Sequence, residues 1–265
     1  MLVIGEKINS SRRRVESALK SKDEEFIITL ARKQKEAGAD FVDVNCGTLL
    51  EEEKECMEWL VEVIQANVEV PLSIDSPNPK VVEAGFRKHK GKAFLNSISG
   101  EEGRIKPLLP LIKEFRPFIV VLLMDDKGIP PTAEGRLKVA IEVTERLEKE
   151  GVEIADVFFD PIIKPLSTDE KAGWVALETI SLIKKEIPQA KTIVGLSNIS
   201  FGLPNRSLLN AVYLAMAMGR GLDGAILDPL DSRIKKILLA SKSLRGEDSF
   251  CMEYITAYRE GILED

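Results

Sequence analysis

Polar side chains recur along this 265-residue chain, each where a short apolar run stops. They are Glu6 and Asn9, Asp43 and Asn45, Asp75 and Ser76, Asn96 and Ser97, Asp160, Ser197 and Asn198, and Asp228. Carboxylates and carboxamides make up most of the set, with no histidine and no obvious lysine nucleophile among them. Such groups recognise a ligand. An ionised carboxylate only accepts hydrogen bonds, so two of them would hold a flat heterocycle with adjacent ring N–H and exocyclic amino groups, as they hold a guanidinium. Pterins present that edge, and asparagine supplies a donor and an acceptor for the remaining carbonyl and ring nitrogens. Asp43, Asp75, Asp160 and Asp228 could instead ligate magnesium. The acids lack dense spacing, and no histidine supports a transition-metal site, so no bound metal is expected. The sole histidine, His89, lies in Arg87-Lys88-His89-Lys90-Gly91 and reads as a loop or helix end.

The elements that carry these residues alternate. Runs rich in Val, Ile and Phe are separated by longer segments of helical period, the signature of a parallel sheet with crossover helices. Eight strands are expected: Leu2 to Ile8, Phe41 to Asn45, Leu72 to Asp75, Ala93 to Ser97, Phe118 to Met124, Val157 to Asp160, Thr192 to Ser197, and Ala225 to Asp228. Helix stops agree, at Gly38, Gly151 and the Gly219/Gly221 pair. The fold class is α/β, a (β/α)8 TIM barrel spanning residues 1–265 as one domain, with an extra C-terminal helix from Phe250 to Leu263. In a barrel, side chains at strand carboxyl ends converge on one mouth. A doubly wound nucleotide-binding sheet is the main competitor. Gly5-Glu6-Lys7-Ile8-Asn9 lacks its glycine-rich phosphate turn, and no P-loop occurs.

Composition narrows the partners. The chain is 44% hydrophobic and 30% charged with a formal net charge of -6, ordinary for a folded soluble chain. Its basic residues are dispersed, so no nucleic-acid surface is expected. The apolar stretches are too short or interrupted to span a bilayer, and the start at Met1 has no secretory pattern, so a cytoplasmic location without membrane attachment is expected. Cys46, Cys56 and Cys251 have neither framework nor CxxC spacing and read as reduced thiols.

Together, Ile4-Gly5-Glu6-Lys7-Ile8-Asn9, Asp43-Val44-Asn45-Cys46-Gly47, Met57-Glu58-Trp59-Leu60-Val61-Glu62-Val63, Ile74-Asp75-Ser76, Asn96-Ser97, Asp160-Pro161, Gly195-Leu196-Ser197-Asn198-Ile199-Ser200, Asn205-Arg206 and Leu214-Ala215-Met216-Ala217-Met218 resemble the methyltetrahydrofolate:corrinoid protein methyltransferases. These are relatives of dihydropteroate synthase and of the folate module of cobalamin-dependent methionine synthase. The resemblance implies methyl transfer between N5 of methyltetrahydrofolate and the cobalt of a separate corrinoid protein. It implies that Asp75, Asn96 and Asp160 hold the pterin and that Asn198 hydrogen-bonds toward N5, with Asn198 and Asp160 the catalytic pair. Arg206 and Lys184 would face the folate tail, and Glu6, Asn9, Asp43, Asn45 and Ser197 would support the pocket. The segment Cys56 to Leu60 would face the corrinoid. Tetrahydrofolate or 5-methyltetrahydrofolate is then the substrate, cobalamin comes with the partner protein, and a homodimer is expected. No Asp-x-His-x-x-Gly cobalamin loop is present, so the chain is the partner and not the carrier.

The residues also admit plainer readings. Taken separately, Asp75 and Asp160 could be helix caps or salt-bridge partners, and Asn198 could cap the following turn. Arg206 could be solvated at a helix start. Met57, Trp59, Leu60 and Val63 at helical spacing read as core, as does the Met216 and Met218 pair. Phe201 stands where the branch serving an iron–sulfur corrinoid protein usually has glutamine. The direction of transfer therefore stays open between methylcorrinoid to tetrahydrofolate and methyltetrahydrofolate to a corrinoid iron–sulfur protein. Dihydropteroate synthase is the alternative enzyme, but the Ser-Arg-Lys and Arg-x-His elements that serve its diphosphate leaving group are replaced by Leu196-Ser197-Asn198 and Leu227-Asp228-Pro229. A non-catalytic folate-binding docking subunit is the alternative from another class.

Overall fold

Alternation of side chains along a strand, with a period of two residues, gives each strand one face for the barrel axis and one for the surrounding helices. A computed structural model describes residues 1–264 as eight parallel strands closed in chain order. They are β1 (Leu2–Asn9), β2 (Phe41–Asn45), β3 (Leu72–Asp75), β4 (Phe94–Ser99), β5 (Phe118–Leu122), β6 (Val157–Asp160), β7 (Lys191–Gly195) and β8 (Gly224–Leu227). Around them run α1 (Arg13–Ser21), α2 (Glu24–Glu36), α3 (Glu53–Asn67), α4 (Pro79–Lys88), α5 (Glu102–Phe115), α6 (Ala133–Lys149), α7 (Ala172–Glu186), α8 (Arg206–Gly219), α9 (Ser232–Leu244) and α10 (Met252–Arg259).

The eight strands stand where the apolar runs place them, with shifted ends. Strand β7 stops at Gly195, and Leu196–Asn198 form a turn of 3-10 helix instead. Strand β5 stops at Leu122, and β4 runs on to Ser99 past a register shift between Asn96 and Ile98. Two helices, not one, join β1 to β2, broken by Lys22 in a left-handed conformation. Helix punctuation behaves as composition dictates: Thr132 accepts from Gly135 N at 3.1 Å to start α6, and Gly38, Gly151 and Gly221 take positive φ just past helix ends.

The inner faces carry the site. On the axis side Ile4, Phe41, Phe94, Val120, Phe158 and Ile193 form a closed apolar floor. Phe94 packs against Phe41 at 4.8 Å and against Phe158 at 5.0 Å between ring centroids, edge-on pairs that contribute about 0.5–1.5 kcal/mol each beyond their burial. Two residues further along the same strands come Asp43, Asn96 and Asp160, so a single step of the pleat exchanges aromatic floor for polar mouth. The outward faces, including Val42, Ile74, Leu95, Ile119 and Phe159, join the helices in the larger core.

Three expectations are corrected here. Cys56, Met57 and Leu60 are buried in that larger core, because α3 must cover β2 and β3, and only Glu58 and Trp59 of that segment are partly exposed. Met218 is core, but Met216 is 44% exposed on α8. The C-terminal helix is shorter than its apolar span, because Phe250 and Cys251 take left-handed conformations and the helical run begins at Met252. Cys46 and Cys56, ten residues apart, meet as buried free thiols, and the adjacent Cys56 thiol together with burial pushes the Cys46 thiol up. His89 ends α4 and accepts from Leu72 N at 2.9 Å, a structural role. Among the described residues no helix is long and apolar enough to cross a membrane.

Candidate active site

At the carboxyl ends of the strands lies a cavity of about 320 Å³ lined by Glu6, Asn9, Asp43, Asp75, Asn96, Ser197 and Asn198, with Ser11, Arg12, Gly195 and Ile226. Seven of the residues singled out from sequence thus meet on one wall. Their place on the strands explains it: Glu6, Asn9, Asp43, Asp75 and Asn96 lie in the carboxyl-terminal parts of β1 to β4, and Ser197 and Asn198 in the turn just beyond β7, whereas Asn45 and Asp160 are not among the lining residues.

A chain of hydrogen bonds fixes the carboxyl groups. Asn45 donates Nδ2 to Asp75 Oδ2 at 3.0 Å while its Oδ1 accepts from Ser10 Oγ at 2.9 Å and Gly47 N at 3.0 Å, so the carboxamide cannot flip. Asp43 accepts from Ser73 Oγ at 2.7 Å and from Asn96 Nδ2 at 3.0 Å through the same oxygen. That leaves Asn96 its carbonyl for a ligand. Asp160, on β6, is buried and accepts at Oδ1 from Ile162 N at 2.7 Å. A second backbone donor, Gly195, links it to the cavity wall.

Burial sets the protonation of these groups. Desolvation, and then the neighbouring Asp75 carboxylate, push Asp43 well above the ordinary carboxylate range. Asp75 is raised by burial as well, against the hydrogen bond from Asn45. Burial lifts Asp160 to about 6, opposed by its two backbone donors and by the charge of Arg136. Burial therefore disfavours the ionised forms of these carboxyl groups. A ring edge offering N–H donors supplies the missing bonds and favours the ionised forms.

Glu6 and Ser197 tie β1 to the β7 turn: Glu6 Oε1 accepts from Ser197 Oγ at 2.9 Å and from the Arg12 guanidinium at 3.0 Å. Asn9 closes its own turn by accepting from Ser11 N at 3.0 Å. Asn198 is exposed at the cavity mouth, and its side chain makes no hydrogen bond among the described residues, so it caps nothing. Its backbone neighbour Gly195 has to be small, since a Cβ there would stand 3.0 Å from Asn198 Nδ2. Asp228 does not face the cup but pairs with Lys7 at 2.6 Å. Ser76 turns away to Glu53 at 2.7 Å. Among the described residues no cluster of three His, Cys, Asp or Glu side chains could hold a metal ion.

The two tail candidates separate. Arg206 sits on the rim, donating to Ser197 O at 2.7 Å and Ser200 Oγ at 3.1 Å and lying over the exposed Phe201 ring. Lys184 lies at the opposite end of the barrel. It pairs with Asp223 at 3.0 Å, beside the amino ends of β7 and β8, because α7 has run back down the barrel by that position. Lys184 cannot reach a ligand in the mouth.

Sequence reading did not find Arg12, Lys7, Gln34 or Arg136. Gln34 is wholly buried on α2 and its Oε1 accepts from Lys7 N at 2.9 Å, at the register shift in β1 between Gly5 and Ile8. Arg136 was legible in principle: with Ala133, Ala140, Val143 and Leu147 it lies on the buried stripe of α6, where a charge is out of place.

The architecture defines a parallel eight-stranded barrel with a pocket of carboxylates and carboxamides at the carboxyl ends of its strands. The chain belongs to the family of pterin binding enzymes, whose profile matches residues 5–228. It is 36% identical over 263 residues to a methylcorrinoid:tetrahydrofolate methyltransferase of Eubacterium limosum, covering 98% of this chain and 97% of that protein. A methionine synthase of Mycobacterium tuberculosis is 28% identical over 244 residues, covering 86% of this chain but 20% of that much longer protein. Among solved structures, dihydropteroate synthase of Xanthomonas albilineans with 4-aminobenzoic acid superposes with a TM-score of 0.68 at 17% identity, over 94% of this chain and 92% of the other. Dihydropteroate synthase of Thermus thermophilus gives 0.67 at 20%, over 92% and 94%. At those identities the structural likeness establishes the fold alone.

Proposed function

We propose that the chain transfers a methyl group between the cobalt of a corrinoid carried by a separate protein and N5 of tetrahydrofolate. The observation that carries this reading is the pairing of a buried acid and amide cup with one unengaged carboxamide, Asn198, at its mouth. The near full-length likeness to a methylcorrinoid:tetrahydrofolate methyltransferase supports it and favours transfer toward the folate.

In that direction N5 attacks the methyl carbon in line. The N–C bond forms, the Co–C pair stays on cobalt, and N5 gives up its proton. In reverse, cob(I)alamin attacks and N5 must regain a proton, since an amine carrying no proton is a poor leaving group. Asp75, Asn96 and Asp160 hold the pterin edge, which fixes N5 relative to the mouth and lowers the entropic barrier to in-line attack. Asn198 has no acidic proton to lose. It donates a hydrogen bond to N5 that strengthens as N5 becomes more basic, while water carries the proton. Arg206 faces the anionic tail from the rim.

The partner is a cobalamin-binding protein that approaches the carboxyl-end face. A homodimer uses the α7–α8 face, where Trp174, Leu208, Val212 and Met216 are exposed together. A reducing cytoplasmic setting suits both the free thiols and the reduced folate. The test is direct. Purified protein mixed with methyltetrahydrofolate and cob(I)alamin should form methylcobalamin, followed by its visible spectrum. Folate binding without turnover would instead make this a docking subunit, and no folate binding would refute the reading.

A further inference from the structure

Arg136 is the largest fully buried side chain of the protein, 2% exposed on α6. Among the described residues no carboxylate lies within ion-pair reach of it. Its guanidinium bonds to backbone instead: Nε donates to Pro130 O at 3.0 Å, and one terminal nitrogen donates to Pro161 O at 2.7 Å and Ile162 O at 3.3 Å. A buried charge without a bonded counter-ion is costly, and an apolar residue of similar size would pack there more cheaply. What the charge holds is therefore informative.

It holds the turn that follows Asp160. Ile162 takes φ of 60°, a conformation that a β-branched residue adopts only when its surroundings impose it. In that conformation Ile162 N points back to Asp160 Oδ1 at 2.7 Å, while Ile162 O points to Arg136. Carboxyl, peptide and guanidinium thus form one relay from the pocket into the helix layer. A lysine would not reproduce this, because its donors all sit on one nitrogen whereas Arg136 reaches the two loops from Nε and a terminal nitrogen held apart in one plane.

We propose that Arg136 is a positioning residue for Asp160, fixing the Pro161–Ile162 turn from behind and setting a positive charge against the pterin-binding carboxyl. This rests on the folate reading above and adds to it the device that keeps Asp160 an acceptor. The charged and titratable groups around the pair are few. Arg136 comes from α6, Tyr213 from α8 with its hydroxyl donating to Gly173 O at 2.9 Å, and Asp169 from the loop before α7. Both the Arg136 and Tyr213 environments register the Asp160 charge, and Arg136 opposes the effect of burial on Asp160.

The test measures tetrahydrofolate affinity by anaerobic calorimetry against pH in the parent, Arg136→Gln, Arg136→Lys and Asp160→Asn proteins. Affinity should rise with pH as the pocket acids ionise and then level off. Arg136→Gln, which keeps an amide donor but no charge, should move the midpoint up by at least about half a pH unit. Arg136→Lys keeps the charge but not the fork, so its midpoint should stay near the parent's while plateau affinity falls at least about fivefold. In an Asp160→Asn background Arg136→Gln should move no midpoint, since Asp75 and Asp43 titrate without it. A purely structural arginine would lower the melting temperature of both variants and leave midpoint and plateau alone, and that result overturns the proposal. If Arg136→Gln does not fold, parent-like plateau affinity in Arg136→Lys overturns it. A parent protein that fails to bind tetrahydrofolate at any pH refutes the folate reading itself, and this inference with it.

Discussion

Replacing Asp160 by asparagine separates what this carboxyl does to the fold from what it does for a ligand. Burial lifts its pKa to about 6 from an ordinary 3.8, so ionising it in the folded protein costs about 3 kcal/mol more than in the unfolded chain. Between those two values the folded state holds a proton that the unfolded state has released. The group's contribution to stability is thus complete below 3.8, falls as pH rises, and is lost above about 6. Asparagine does not titrate. Its Oδ1 can keep the bond from Ile162 N, but its amide faces the Gly195 donor, a mismatch worth about 1–3 kcal/mol at every pH. The variant should therefore be the less stable protein at about pH 4 and should gain about 2–3 kcal/mol on the parent by about pH 8. Urea unfolding followed by tryptophan fluorescence at stepped pH reads this difference directly. The same substitution should weaken tetrahydrofolate binding by about 1–3 kcal/mol, so at high pH stability and binding move in opposite directions. A stability difference that stays constant across the whole pH range would refute the desolvation argument for Asp160.

Asn198→Ala should slow methyl transfer at least about tenfold while folate affinity changes less than about threefold, measured by stopped-flow absorbance and calorimetry; a parent-like rate removes Asn198 from the chemistry. Gly195→Ala should give the same kinetic pattern without touching Asn198, because the new Cβ stands 3.0 Å from its Nδ2, and unchanged turnover would show that the carboxamide need not be held there. Gly5→Ala sets a Cβ 2.5 Å from Gln34 Oε1 and should destabilise the fold by about 1–3 kcal/mol in thermal melts, with part of the loss recovered in a Gln34→Ala background. Lys184→Ala should leave affinity for polyglutamylated tetrahydrofolate unchanged; a clear drop would place the tail on the wrong end of the barrel.

Much of this was legible in the chain because a barrel converts one-dimensional pattern into position. Eight apolar runs, seven of them with the singled-out polar residues at or just beyond the end, suffice to predict both the topology and the wall shared by Asp43, Asp75, Asn96 and Asn198. What pattern could not supply was direction within the helix layer. Lys184 and Arg206 both precede or follow strand β7 as cations on helices, yet one lies at the amino end and the other at the rim. Position along the helix decides that: Lys184 is in the last turn of α7 and Arg206 in the first turn of α8. For Cys56 to Leu60 helix phase decides instead, since the segment's apolar face had to cover β2 and β3. The backbone supports escaped notice because their partners are peptide groups: Gln34 to Lys7 N, Arg136 to Pro161 O and Ile162 O. No side-chain motif encodes such bonds.

The electrostatics also bear on which pterin chemistry the pocket suits. A diphosphate leaving group would need cations free to bind it, and three of the basic residues around this mouth are already engaged. Arg12 is paired with Glu6, Lys7 with Asp228, and Arg206 is tied to Ser197 and Ser200 in the turn that carries Asn198. The cavity is lined by Asp43, Asp75 and Glu6, with Asp160 buried outside its lining, and burial raises all four. A buried cup of such acids offers an anion no counter-charge at the reacting end and suits a neutral ring bearing donors, with its carboxylates held outside. Methyl transfer at N5 fits that setting, because the group that leaves or arrives carries no phosphate.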